Sequence, residues 1–365
     1  MRKGQVKKRI SSISAGLILA LLFSVVPQQP AYADKFPEIY RIEFNDVEKL
    51  VTARNMTARM AREAYDKAKL NIGAQLDAAD ERIARQPYIE MIIKNSGLSE
   101  EMQGLMGLLF APGGAAVGGS DLETYRLDTE KAIFSIVQAA QNVYIQYFET
   151  KDTLAKMEAQ KPVAERNLGI TNLRQQLGMA TANDVAAARQ QYNDLVNGIS
   201  MVKRAHETIK QQLNLLLSQD ISVNLQIGDL PLIPEYMITT INADSDYARA
   251  EGLSFTVKKM RLENDEKQDN AKRTFKSEFY KTYDDLKASW DTLKSEQAKY
   301  ALEQEKYNIS ELKYKLGMIS AIQRETAYSS LVAQGAAFGA AQRNLLKAYL
   351  TYGWACRGLT ASMGV

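Results

Sequence analysis

The sequence predicts an all-α protein made of long antiparallel coiled-coil helical hairpins arranged as two tandem repeats. Three observations carry that expectation. Helix-forming residues continue for tens of positions with few breaks, because the eight prolines of the 365-residue chain fall mostly near its start and around residue 230. Apolar residues return at steps of three and four, the period of a helix seam. A Leu-Gly-Met step at 177–179 recurs at 316–318, an offset of 139 residues.

Residues 1–33 carry five cationic residues and no acid, then an apolar run from Ala15 to Val26, then Ala31-Tyr32-Ala33. This is the pattern of a secretory signal peptide, and the apolar run is shorter than the ~20 residues that span a bilayer. Removing it turns a formal net charge of +3 into about −2, so the basic balance belongs to the leader and no case for nucleic-acid binding remains. The single Cys356 cannot form an internal disulfide, so export adds no bridges.

The first repeat is expected over 34–220. Residues 45–95 are rich in Ala, Arg, Glu, Lys and Met, which lose little side-chain entropy in a helix, and end at Asn95-Ser96-Gly97, a helix stop. The Gly-rich, apolar stretch 104–121 reads as a turn or small insertion, with Ser120 or Asp121 placed to cap the next helix. From Leu122 to about Leu177 a stripe runs through Ile133, Ile136, Ala140, Val143, Tyr147, Leu154 and Met157, with a weak place at Thr150. Past Gly178 the stripe resumes at Val185, Tyr192, Ile199, Val202, Ile209 and Leu213, a helix of about 35 residues and roughly 50 Å.

Residues 221–242 form a linker, since Gly228, Pro231 and Pro234 leave room for at most one short strand. The second repeat is expected over 243–365. One proline-free helical stretch is predicted from Asp244 through Lys315, and a last helix from Ala321 to Gly358. In that last helix Leu331, Phe338, Leu345 and Tyr352 alternate with Ala327, Ala341, Ala348 and Ala355, a large-and-small pattern suited to close hairpin packing.

Aligning Gly178 on Gly317 gives six identities in nineteen positions, where chance gives about one. The same offset pairs Asp152-Thr153-Leu154 with Asp291-Thr292-Leu293, and Tyr144 with Tyr283. Each step encodes a stop, a turn and a restart: glycine takes the left-handed conformation that ends a helix, and Thr181 or Ser320 caps the next one.

Reactive chemistry is scarce. One His, one Cys and no metal-ligand spacing leave nothing on which to build a catalytic, cofactor or metal site. His206 falls on the apolar row between Ile199 and Leu213 and reads as a seam residue, and Cys356 as a small packing residue. The Gly-rich 112–119 lacks the Lys-Ser/Thr of a phosphate-cradling loop, and Asp284-Asp285 lie on a charged helix face. The chain is read as a non-enzyme.

These features resemble the TolC-like outer membrane efflux protein family, whose repeats carry a G-x5-D-V turn; here Gly178 is followed by Asp184-Val185. The opening "RIEFNDVEKLVTARNMTARMARE", residues 41–63, looks like the family's first helix, and "YARAEGLSFTVKKMRLE" from Tyr247 is a degenerate copy. The resemblance implies a homotrimer closing into a hollow α-helical barrel, an efflux duct that works with a membrane-fusion adaptor protein and an inner-membrane transporter. It assigns adaptor docking to Leu177, Gly178, Met179, Ala180 and Thr181 and to Leu316, Gly317, Met318, Ile319 and Ser320. It places Asp184 at the pore entrance, where the second copy has Gln323.

The resemblance departs at the membrane. The family inserts strand pairs between the arms, and a spanning strand needs roughly 9–11 alternating residues. Residues 104–120 show no alternation, and 256–290 read as unbroken charged helix. The expectation is therefore an exported, cell-envelope protein, outer-membrane by resemblance but wall-associated or extracellular if the strands are missing. The alternative is a structural coiled-coil protein of the envelope with no conduit role.

Overall fold

A computed structural model describes residues 36–71 and 119–360. The leader, the stop at 95–97 and the Gly-rich insertion lie outside the described residues. Nine α-helices are present among the described residues: α1 Val47–Arg54, α2 Met56–Asn71, α3 Gly119–Gln176, α4 Ala182–Leu216, α5 Tyr236–Thr239, α6 Ala243–Leu253, α7 Phe255–Arg261, α8 Asp265–Lys315 and α9 Ala321–Cys356. Two short strands, β1 Arg41–Ile42 and β2 Gln226–Ile227, pair in parallel with Ile42 opposite Ile227. The architecture is all-α, as expected.

Helices α3 and α4 form one antiparallel hairpin and α8 and α9 the other. The hairpins lie side by side through α3 and α9, and polar pairs mark their antiparallel register. Gln141 meets Trp354, Glu149 meets Lys347, Asp152 meets Arg343 and Arg166 meets Glu325, rising along α3 as they fall along α9. Helix α3, 58 residues and ~87 Å at 1.5 Å per residue, continues through Pro162, which lacks the N–H that would bond one turn back. The seam of the hairpin, packed along the whole arm, keeps it helical.

At the base, two buried clusters hold the hairpins. The first gathers Phe44, Val47, Val51, Val137, Tyr144 and Leu213 around β1 and β2. Tyr144 is fully buried and its hydroxyl reaches both Ile42 O, at 3.1 Å, and Gly228 O, at 2.6 Å, so it pins both strands to α3. Burial pushes its pKa up. The second cluster joins Phe275, Phe279 and Leu286 of α8 to Leu345, Tyr352 and Ala355 of α9.

Two expectations need correction. The single helix expected from Asp244 through Lys315 is three helices, interrupted at Ser254 and at residues 262–264, so the run 256–290 is not unbroken. The helix expected from residue 45 is likewise interrupted, at Asn55. The physical reason is shared. Asn55 (φ −58°, ψ 126°) and Ser254 (φ −55°, ψ 122°) are extended, and each side chain caps the next helix: Asn55 Oδ1 accepts from Ala58 N and Ser254 Oγ from Val257 N. A third cap, Asn264, restarts α8 by accepting from Lys267 N.

Each kink also receives the far end of its own hairpin. Met56 N donates to Ser218 Oγ just past α4, and Phe255 N donates to Gly358 O just past α9. Ser218 and Gly358 both have positive φ, 52° and 89°, and both close their helices with matched bonds: Gln219 N to Asn214 O, and Leu359 N to Trp354 O. A Cβ at Gly358 would lie 2.4 Å from Leu253 O, so this approach requires glycine.

Candidate functional site: the paired hairpin turns

The two Leu-Gly-Met steps close the free ends of the two hairpins with the same backbone. Gly178 and Gly317 both have φ of +70°. Leu177 N donates to Leu173 O, Gly178 N to Gln175 O and Met179 N to Arg174 O; the second turn repeats this with Leu316 to Leu312, Gly317 to Tyr314 and Met318 to Lys313. This is the left-handed C-terminal cap that satisfies the last carbonyls of α3 and α8.

The restarts match as well. Thr181 and Ser320 are extended N-caps of α4 and α9, and each belongs to a capping box. Asp184 N donates to Thr181 Oγ1, while Thr181 N donates to Asp184 Oδ2 at 2.8 Å. In the second turn Gln323 N donates to Ser320 Oγ, and Ser320 N donates to Gln323 Oε1 at 2.8 Å. Asp184 and Gln323 therefore hold the same position and do the same structural work, one charged and one neutral. The bonds from Thr181 hold the Asp184 carboxyl below the usual carboxylate range.

What remains at the surface is apolar. Leu177 and Met179 are 65% and 73% exposed, and Leu316 and Met318 66% and 67%. Ala180 and Ile319 turn inward and are half-buried, while Thr181 and Ser320 are exposed. Four residues that sequence reasoning left out extend each rim down its outgoing helix: Ile170 and Leu173 on α3, Ile309 and Leu312 on α8, all exposed. Their signal was legible, since 170 and 309, and 173 and 312, obey the same offset as the glycines.

The turns are tied to one another near their ends. Arg166 on α3 grips Glu325 on α9 with two parallel bonds, 2.7 and 2.5 Å long. The bidentate geometry fixes orientation as well as distance. It lowers the Glu325 pKa. Behind the second turn, aromatic residues stiffen its hairpin: Tyr307 packs on Tyr328, and the Arg324 guanidinium sits 4.7 Å from the Tyr314 ring centre.

Elsewhere the chemistry is sparse. Among the described residues no cluster of His, Cys, Asp and Glu has the arrangement of a metal site, and no helix is long and apolar enough to cross a membrane. His206 lies in the seam between α4 and α3, and Cys356 is half-buried at the end of α9.

No known family model matches the chain, and no curated protein matches it in sequence. Solved structures do. The chain is similar to the CmeC outer membrane channel of Campylobacter jejuni, with 13% identity and a TM-score of 0.52 over 86% of this chain and 85% of that one. It is similar to the outer membrane protein VceC of Vibrio cholerae, with 12% identity and a TM-score of 0.51 over 86% of this chain and 96% of that one. A membrane protein from Pseudomonas aeruginosa gives 12% identity and a TM-score of 0.51 over 92% and 99%. At this identity the likeness establishes the fold: the chain has the helical framework of an outer membrane channel protomer. The resemblance read from the residues is borne out at the level of the fold, and CmeC, one of the proteins that share it, is an outer membrane channel.

The resemblance led to the expectation of strand pairs inserted between the arms. Between α7 and α8 there are only residues 262–264, far fewer than the roughly 9–11 that one spanning strand needs. The second half has no room for a strand pair at that junction.

Proposed function

We propose that this chain is an exported protomer of a TolC-like efflux or secretion duct, two tandem copies of one helical unit, three chains of which close into an α-helical tube. Its paired turns dock an adaptor protein, which links the tube to an inner-membrane transporter. The observation that carries this reading is the pair of turns itself. Two backbone-identical caps present matched apolar rims at one end of the molecule, held level by Arg166 and Glu325. Exposed Leu and Met on rigid turns are suited to burial against another protein. The docking surface comprises Leu177, Met179, Leu316 and Met318 as apolar contacts, with Gly178, Ala180, Thr181, Gly317, Ile319 and Ser320 shaping the turns. Asp184 then contributes one negative charge per protomer at the entrance, and Gln323 none.

The three-residue junction between α7 and α8 supports a place in the envelope where the chain is not anchored by a strand pair from its second half. Electron microscopy of the purified mature protein tests the duct: a tapered tube with threefold symmetry supports it, whereas a solid bundle or two-helix rod favours an envelope coiled-coil protein with no lumen. Docking is tested separately by capture of the adaptor. Proline fixes φ near −65° and has no N–H, so Gly178→Pro with Gly317→Pro destroys both caps. Undiminished capture by that double variant would eliminate tip docking while leaving the tube intact.

A further inference from the structure

The two hairpins differ at one matched level of their seams. In the first, Thr150 on α3 and His206 on α4 each lie 28 residues from Gly178, about 42 Å along the arm. His206 Nδ1 is 2.8 Å from Thr150 Oγ1, and the imidazole stacks on Tyr147 with ring centres 4.2 Å apart. At the same distances from Gly317 the second hairpin has Leu345 in place of His206 and Leu286 in place of Tyr147, both almost fully buried in one apolar cluster. One seam has buried leucines at these positions and the other holds the chain's single histidine.

The proton positions are set by the bonds. Thr150 Oγ1 has one proton, which it donates to Tyr147 O at 2.9 Å, with Gln146 O at 3.2 Å. Where Oγ1 accepts from His206, Nδ1 carries the proton of the neutral ring and Nε2 is the site that titrates. A second proton places a cation in a setting that is unfavourable on balance. Lys151 faces it from α3 and Lys210 from α4, while Glu207, the one acid nearby, is already paired with Lys210. Glu207 and the Tyr147 backbone carbonyl, which accepts a bond from the ring, offset part of this. Partial burial is the largest influence and, with Lys210 and Lys151, holds the His206 pKa below its ordinary value.

We propose that His206 is an acid-sensitive release in the first hairpin: protonation of its Nε2 loosens the α3–α4 seam at this level while the α8–α9 seam stays closed. The device rests on the seam around His206 and does not depend on the duct reading. The sign is fixed by the direction of the shift. A His whose folded pKa is depressed leaves the folded state short of protons relative to the unfolded one, so stability falls as pH drops through about 6.5 toward the folded value.

Two measurements on the full mature protein test it. With one His in the chain, its ring resonance is unambiguous, and titration should give a pKa below 6.5; a value at or above that overturns the proposal. Hydrogen exchange, corrected for the intrinsic pH dependence, should rise at least threefold in residues 143–157 and 199–213 between pH 7.5 and 5, with residues 282–296 and 338–352 unchanged. His206→Gln, which keeps a neutral donor at every pH, should abolish that rise. If it does not fold, His206→Leu copies the second hairpin and serves the same purpose. An equal acid response in both hairpins, or one that survives in the folded variant, refutes the release.

Discussion

Replacing Gly178 by alanine isolates the backbone contribution of a turn. A Cβ built on Gly178 meets nothing within 4 Å, so no contact is gained or lost, and only the φ of +70° is affected. An L-residue in that left-handed region costs roughly 1–2 kcal/mol. Gly169, nine residues earlier on α3, is the control: its Cβ also meets open space, but its backbone is ordinary helix, where alanine is favoured by about 1 kcal/mol. The same substitution therefore has opposite signs at two neighbouring positions, a separation of about 2–3 kcal/mol. The assay is hydrogen exchange of the turn amides, residues 174–185, at neutral pH. Gly178→Ala should speed their exchange about tenfold, since 1.4 kcal/mol is a factor of ten in an opening equilibrium. Gly178→Asn, which tolerates the left-handed region, should recover part of this, and Gly169→Ala should slow exchange in its own turn. Equal exchange in wild type and Gly178→Ala, or the same sign at both glycines, would show that the turn is not held by the left-handed glycine.

Particular contacts set the other expected outcomes. Asp184 has a depressed pKa, so its share of the capping box is present above about pH 4 and lost as pH falls through the lower folded value; turn amides near Asp184 should open in acid, those near Gln323 should not, and Asp184→Asn should remove the difference, read by amide exchange. Removing the clamp with Glu325→Gln should widen the distance distribution between spin labels at 177 and 316, and raising salt should do the same to the wild type. Asp152→Ala strands the Arg343 guanidinium, which is 7% exposed, and should lower the denaturant-derived stability by about 3 kcal/mol. Tyr144→Phe leaves the carbonyls of Ile42 and Gly228 without their buried hydroxyl and should cost about 1–2 kcal/mol in the same assay.

The long elements and the turns were legible in the sequence for a physical reason. A hairpin arm is a one-dimensional object: its apolar period, the glycine that ends it and the hydroxyl that restarts it are all local, so Leu122–Leu177 and the 35-residue helix after it could be read within a few residues of α3 and α4. The kinks at Asn55 and Ser254 were missed because they are made from a distance. A mid-sequence Asn or Ser is a weak local stop; what holds it extended is the hairpin end that docks there, Leu216 O and Ser218 Oγ in one half and Gly358 O in the other. Pro162 is the opposite case, a strong local breaker inside a stripe that still runs as one helix. The rim residues Ile170, Leu173, Ile309 and Leu312 were overlooked because an apolar residue on a helical stripe is ordinarily read as core, and only their exposure in the fold separates them from it.

The same three marks fix where the two halves of the chain are free to differ. From tip glycine to the left-handed residue that ends the return helix there are 40 residues in the first half, Gly178 to Ser218, and 41 in the second, Gly317 to Gly358. From kink to tip there are 123 residues in the first, Asn55 to Gly178, and 63 in the second, Ser254 to Gly317. A return helix must run from a tip held level by Arg166 and Glu325 down to a kink that it has to reach with a hydrogen bond, so its length is set at both ends. The outgoing side differs in length between the halves, so its length is not set in the same way. Differences between the halves therefore collect at the end away from the turns. In the second half that end closes with residues 262–264. The end that presents the apolar rims keeps one geometry in both halves, while the halves differ at the other end.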